Sequence, residues 1–225
     1  MAITLSVLVP VYNEEKTISL MMTRLLKVKA VKEIIIINDG STDKTRSKLN
    51  KYKQKKVTVI HKKNGGKGSA IVEGLKKVKG NYVLIQDADL EYDPSDIPDL
   101  LEPIKKNKAK VVFGSRFLGA HSNLLFWHRL GNSFLNFVTN VLYNTTLSDL
   151  ETCYKVIPTS LLKKLRITAK GFDIEPEITC KLLRKGVRIF EVPISYVGRD
   201  FSEGKKITWR DGIKALQVII TNRFS

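Results

Sequence analysis

Short apolar runs alternate with amphipathic stretches through the first half of the chain. Leu5 to Val9, Glu33 to Ile37, Lys56 to Ile60 and Tyr82 to Ile85 are rich in β-branched residues and predict strands buried on both faces. Between them apolar residues recur at helical spacing. Ile18, Met22, Leu25 and Val28 form one such face, with Asn13 placed to cap its first turn. A lysine-rich helix with a sparse apolar face follows Ser41 or Thr42 as cap, and Lys67 to Val78 carries Ala70, Gly74 and Val78 on one stripe. This alternation predicts right-handed βαβ crossovers, and so an α/β fold with one mostly parallel sheet flanked by helices.

The pattern changes after residue 110. Val111 to Phe113 predicts another strand, and residues 123–143 a long helix with Leu124, Trp127, Leu130, Phe134, Phe137 and Val141 at helical spacing. Ile207 to Phe224 is amphipathic, with Trp209, Ile213, Leu216 and Ile220 on one face. Each of these faces suits docking on the core or seating at a membrane surface, because aromatic and basic residues border it. Arg129 interrupts any spanning reading, no apolar run reaches 18 residues, and the N-terminus lacks a signal-peptide pattern. No repeat or linker divides the chain, so residues 1–225 are expected to form one domain.

Composition adds two constraints. An apolar content of 43% over 225 residues excludes a disordered basic tail. Cys153 and Cys180 fit neither a disulfide framework nor a metal-ligand spacing, which points to a reducing compartment. The formal charge of +17 suits nucleic acid, an anionic membrane or phosphorylated substrates alike. It is blocked: residues 44–80 hold thirteen basic groups against one acidic, and residues 181–225 ten against four. The lysines of residues 44–63 have only Tyr52 among them as a stacking aromatic, so no nucleic-acid partner is expected.

In a parallel sheet, ligands bind beyond the carboxyl ends of the strands. The segments there are Pro10 to Glu15, Asn38 to Asp43, Asn64 to Ser69 and Asp87 to Glu91, all rich in polar residues and glycine. Asp87 and Asp89 are two residues apart on extended chain, so both carboxylates can face one cation, with Glu91 as a third ligand. Hard oxygen donors of this kind suit Mg²⁺ or Mn²⁺ shared with substrate phosphates. Gly65-Gly66-Lys67-Gly68-Ser69 matches no nucleotide-binding fingerprint, yet offers backbone N–H groups and an ammonium at a helix start.

Together, Val9-Pro10-Val11-Tyr12-Asn13-Glu14-Glu15, Asn38-Asp39-Gly40-Ser41-Thr42-Asp43, Asn64-Gly65-Gly66-Lys67-Gly68 and Asp87-Ala88-Asp89 resemble the family 2 glycosyltransferases with the Rossmann-like GT-A fold. Gly114-Ser115-Arg116, Arg129-Leu130-Gly131-Asn132, Asp149 to Lys155 and Phe172-Asp173-Ile174-Glu175 are similar to the dolichyl- and polyprenyl-phosphate mannose or glucose synthases. The resemblance implies a nucleotide-sugar-binding half over residues 1–115 and an acceptor-binding half over 116–225. It implies that Pro10, Tyr12, Glu14 and Asp39 hold base and ribose, that Lys67 borders the nucleotide, and that Asp87, Ala88 and Asp89 meet the diphosphate, the carboxylates through the metal. Arg116 faces donor or acceptor phosphate, and Arg129, Arg199 and Lys205 the acceptor phosphate; Asp149 and Asp89 take the catalytic places. Arg199 and Lys205 depart in spacing from the family's Arg-x-x-Gly-x-Ser-Lys loop. Many relatives continue into transmembrane helices, whereas this sequence stops at Ser225; the expected setting is peripheral, at the cytoplasmic face of a membrane.

The implied reaction is an inverting, metal-dependent transfer of a hexose to a polyprenyl phosphate. A sugar hydroxyl acceptor would need a general base, whereas a phosphate monoester with a second pKa of about 6 is already ionised. The arginines favour the phosphate acceptor, so Asp149 either removes a proton or positions a partner, with a helix cap or a pair with Lys155 as its bland alternative. Transfer to a glycan hydroxyl, nucleotidyl transfer and nucleic-acid binding are the other readings.

Overall fold

The computed structural model describes residues 2–52, 54–122, 126–199 and 208–224. β1 (Leu5–Val11), α1 (Ile18–Lys27), β2 (Val31–Asp39), α2 (Thr45–Leu49), β3 (Val57–Lys62), α3 (Lys67–Leu75) and β4 (Tyr82–Ile85) follow the expected alternation. β1 lies parallel between β2 and β4, and β2 lies parallel to β3. The β-branched runs of β1 and β2 are buried almost throughout because helices cover both faces. β3 departs from the expectation. As the outermost strand it is half-exposed, with no neighbour on one edge among the described residues. Helix α3 sits so close to the sheet that a Cβ on Gly74 would lie 2.6 Å from Ile37 Cδ1.

The expected caps are elsewhere engaged. Neither α1 nor α2 has a side-chain cap bond. Asn13, in the left-handed region at φ 51°, accepts from Thr42 N–H at 2.8 Å, and Ser41 Oγ accepts from Asn13 N–H at 3.0 Å. These polar side chains tie the loops after β1 and β2 to each other rather than ending helices. Thr45 Oγ1 adds a third tie by accepting from Glu14 N–H at 2.9 Å.

After a 3₁₀ turn, Pro94–Asp96, come α4 (Ile97–Lys105), β5 (Val111–Ser115), β6 (His121–Ser122), α5 (Phe126–Tyr143), β7 (Lys155–Pro158), α6 (Thr159–Lys164), α7 (Ile174–Arg184), β8 (Ile189–Pro193), β9 (Tyr196–Val197) and α8 (Trp209–Phe224). The main sheet runs β3-β2-β1-β4-β7-β5-β8, with β7 antiparallel to both neighbours; β6 and β9 form a small parallel ribbon. The hydrophobic pattern assigns nothing to residues 144–199, where β7, α6, β8 and β9 are six residues or shorter and α7 buries polar Glu175, Glu177 and Thr179 along with its apolar side chains.

Helices α5 and α8 reverse the core-docking expectation. The stripe Trp127, Leu130, Phe134, Phe137 and Val141 faces outward, as do Trp209, Ile213 and Ile220. The docked faces carry smaller or polar groups instead: Leu135, Asn136 and Thr139 on α5, Ala215 and Ile219 on α8. Leu135, Ala215 and Ile219 join Leu150 and Cys180 in a small second core. No described helix is long and apolar enough to cross a membrane.

Candidate active site

Parallel β1, β2, β3 and β4 end on one rim, so their four loops converge. They open on a cavity of about 1370 Å³ whose lining includes Pro10, Tyr12, Glu14, Asp39, Lys67, Asp87, Ala88, Asp89, Glu91, Arg116, Arg129 and Arg199. Asp149 is not on that surface, and Lys205 lies outside the described residues.

Asp39 shapes the nucleotide end. Its carboxylate accepts from Gly65 N–H at 3.0 Å and Gly66 N–H at 2.7 Å, and pairs with Lys62 Nζ at 2.6 Å. The glycine loop therefore spends its first N–H groups on Asp39, and Ser69 N–H goes to the Lys170 carbonyl at 3.2 Å. Its glycines answer to packing: a Cβ on Gly66 or Gly68 would lie 2.3 Å from the carbonyl oxygen of Lys170 or Ala169. Gly66 also has φ 91° and ψ 163°, a conformation reserved for glycine. Gly66→Ala is expected to destabilise the protein by about 2 kcal/mol or more, read as a lower urea midpoint at unchanged slope.

At the end of β4 the carboxylates already hold cations. Lys67 Nζ lies 2.8 Å from Asp87 Oδ1 and 2.7 Å from Glu175 Oε1. Burial opposes its charge, but Asp87 and then Glu175 outweigh that and raise its pKa well above the ordinary lysine value. Arg199 reaches Asp89 at 2.9 Å, Glu14 at 3.5 Å and Glu91 at 3.6 Å. Burial, then Asp87 and Glu91, still push the Asp89 carboxyl up to about 7 against the pull of Arg199. The cluster thus calls for positive charge, and Asp87 and Asp89 are the donor set a hard divalent cation takes together with ligand phosphates. Glu91 does not complete it: its carboxylate accepts from Tyr196 Oη at 2.7 Å and from Arg199 N–H at 3.1 Å. Among the described residues no three His, Cys, Asp or Glu side chains are grouped to hold a metal.

Arg116 is fixed from below. Its backbone N–H, Nε and Nη2 donate to Asp149 at 2.9, 2.8 and 2.7 Å, and its guanidinium lies 5.2 Å from the Tyr196 ring. Asp149 is fully buried. A planar guanidinium matches two carboxylate oxygens at once, so this bidentate pair sets the direction of Arg116. Asp149 thereby holds Arg116 instead of reaching a reacting atom. It neither caps a helix nor pairs with Lys155, whose ammonium donates to the Leu150 and Thr152 carbonyls. Arg129 stands exposed at the mouth, 5.9 Å from the Phe117 ring.

Residues 6–166 match the model of the family described as glycosyl transferase family 2. The chain is a family 2 glycosyltransferase. The transferase is 28% identical over 202 residues to the uncharacterized protein MJ0544 of Methanocaldococcus jannaschii, covering 84% of this chain and 86% of that one. It is 27% identical to glycosyltransferase AglJ of Haloferax volcanii, over 92% of this chain and 67% of AglJ. Among solved structures, glucosyl-3-phosphoglycerate synthase of Mycobacterium tuberculosis, in complex with Mn²⁺, UDP and phosphoglyceric acid, superposes with TM-score 0.78 at 17% identity. It covers 99% of this chain and 79% of that one. The same enzyme with Mg²⁺ and UDP gives 0.73 at 19% identity, over 98% and 79%. The shared architecture is the GT-A fold.

Two further cavity residues of the transferase carry no role in the sequence reading, Glu151 and Glu175. Both sit inside quoted motifs, Asp149 to Lys155 and Phe172 to Glu175. Their signal was a carboxylate on an otherwise buried segment, which alternation alone does not rank above Asp149 or Asp173.

Proposed function

We propose that this glycosyltransferase moves a hexose from a nucleotide-sugar to a polyprenyl phosphate, with Mg²⁺ or Mn²⁺, while lying on the cytoplasmic face of a membrane. The observation that carries the reading is the shape of its cavity. One end is floored by Asp87, Asp89 and Arg199; the other opens between α5 and α8 among Phe126, Trp127, Phe134, Trp209 and Ile213. A charged floor with an aromatic mouth suits an acceptor with a phosphate head and an apolar tail. The phosphoglyceric acid named with the mycobacterial enzyme is also a phosphate-bearing compound, which supports the phosphate half of the reading.

The residues divide the work. Pro10, Tyr12, Glu14 and Asp39 receive the nucleoside; Arg116, held by Asp149, and Arg129 and Arg199 receive phosphate. An acceptor phosphate oxygen attacks the anomeric carbon opposite the departing nucleoside diphosphate, so the configuration inverts. With a second pKa of about 6 that phosphate is ionised, and no side chain has to take a proton. Asp87 and Asp89 would hold the divalent cation, which would supply charge stabilisation to the departing diphosphate. The test supplies protein and Mn²⁺ with UDP-glucose or GDP-mannose and, separately, polyprenyl phosphate, phosphoglycerate or a free sugar. Glycolipid from one donor supports the proposal; turnover only on phosphoglycerate or free sugar overturns the lipid acceptor.

The membrane part has its own measurement. Trp127 and Trp209 are 76% and 72% exposed on adjacent helices. Trp127→Ser with Trp209→Ser is expected to lower partition onto anionic vesicles by about tenfold or more, since each buried indole contributes roughly 1.5–3 kcal/mol. Equal co-sedimentation of variant and parent would refute the seating.

A further inference from the structure

The backbone from Leu147 to Leu150 is buried or half-buried and belongs to no helix or strand, so its polar groups need partners from elsewhere. Side chains of three elements supply them. On α5, Asn140 accepts from Leu147 N–H at 2.8 Å and donates to the Leu147 carbonyl at 2.9 Å. One turn earlier, Asn136 donates to the Ser148 carbonyl at 2.5 Å and accepts from Leu150 N–H at 2.8 Å. From β8, Glu191 accepts from Ser148 N–H at 3.0 Å, Ser148 Oγ at 2.9 Å and Asp149 N–H at 3.2 Å. Lys155, at the start of β7, donates to the Leu150 carbonyl at 2.9 Å.

These bonds converge on Asp149. Asn136 grips the residue on each side of it, and Glu191 holds its own N–H. The Asp149 carboxylate accepts from Arg116 Nε and Nη2, and Ser115, the residue before Arg116, shares a 2.7 Å hydrogen bond with Ser148 Oγ. The direction of Arg116 in the cavity is therefore set by a stretch of main chain that is itself set from α5 and β8. Neither Asn136 nor Glu191 lines that cavity. A buried asparagine and a half-buried glutamate carry a desolvation cost that an apolar side chain avoids. What their satisfied bonds add is one defined placement of the loop, where apolar contacts alone would allow several.

We propose that Asn136 and Glu191 are positioning residues for phosphate capture, acting through Asp149 on Arg116 and resting on the reading of Arg116 as a phosphate ligand. A guanidinium fork meets phosphate oxygens productively only within about 0.5 Å of its ideal place, and a displacement of about 1 Å costs on the order of 10²-fold in rate. Asn136→Ala removes both grips beside Asp149. Glu191→Gln keeps the volume of the side chain and one acceptor oxygen, so it loosens the loop less and serves as the milder variant.

The test is a double-mutant cycle on the full chain with Mn²⁺, a nucleotide-sugar and the phosphate acceptor that the parent uses, polyprenyl phosphate or phosphoglycerate. In the parent background Asn136→Ala is expected to lower kcat/KM for that acceptor by about 10- to 100-fold, and Glu191→Gln by about threefold or more. Arg116→Lys keeps a cation beside Asp149 but abolishes the planar fork. In that background each effect is expected to shrink to within about twofold, because there is no fork left to aim. Falls that multiply unchanged onto Arg116→Lys would overturn the inference and make both residues general supports of the fold. Should Asn136→Ala fail to fold by its urea transition, Glu191→Gln carries the cycle alone. Full activity of Arg116→Lys, or a parent that turns over neither phosphate acceptor, would instead bring down the phosphate reading of Arg116 and the inference with it.

Discussion

Asp149→Ala is expected to destabilise the protein by about 3–5 kcal/mol, the cost of leaving a buried charge without its partner. Asp149 is fully buried and the Arg116 side chain is only 11% exposed, so water screens the pair little. Arg116 would lose three donated bonds at once, one from its backbone N–H and two from its guanidinium, which would keep the faces of Tyr196 and Phe117. Urea unfolding measures the loss. Asp149→Asn separates stability from catalysis because it preserves shape and one acceptor. Its kcat is expected to fall while the pH–rate profile stays in place, since Asp149 aims Arg116 and takes no proton from the acceptor. A profile that loses its acid limb in the Asn variant would restore Asp149 as a general base.

Removal of the Asp89 carboxylate should have the largest effect on turnover, a fall of about 10²–10³-fold or more for Asp89→Ala. Mn²⁺ affinity, followed by electron paramagnetic resonance, is expected to drop with it. Glu102→Ala, whose carboxylate makes exposed pairs with Lys105 and Lys106 on α4, serves as the unaffected control. Stability should move the other way. Asp89 titrates at about 7 in the folded protein against an ordinary value of 3.8, so folding favours its protonated form. The contribution is intact below pH 4 and lost as pH rises through 7. Asp89→Asn is therefore expected to raise the melting temperature at pH 8 and leave it unchanged at pH 4. A variant no more stable at pH 8 would show that Arg199 already compensates the carboxylate.

The sequence makes the rim legible because of a local rule: apolar strands must end in loops, and Tyr12, Asp39, Lys67 and Asp87 stand at or within a few residues of those ends. Periodicity likewise reveals α5 and α8 as helices. It does not say which stripe is inside, and here Trp127 and Phe134 face out while Asn136 is buried. Asn136 tolerates burial because it donates to the Ser148 carbonyl at 2.5 Å and accepts from Leu150 N–H at 2.8 Å, partners set by the tertiary fold. The same limit hides the pairing of Arg116 with Asp149, 33 residues later, and of Lys67 with Glu175. Asn13, Ser41 and Thr42 have the composition of helix caps, and only the approach of two loops shows that they bind each other. Glu91 continues the alternation of Asp87 and Asp89 but turns to Tyr196, a residue brought in from β9.

The place of β7 between β4 and β5 has a consequence for how the chain comes together. A ribosome delivers both flanking strands before the strand that joins them, so until Pro158 has emerged β4 and β5 each present an unsatisfied row of backbone groups. The nascent sheet cannot grow by adding strands outward; it must wait, gapped, for its keystone. Any fragment ending between β5 and β7 would keep the metal-facing loops and still carry open edges on β4 and on both sides of β5, prone to pair with a neighbour's.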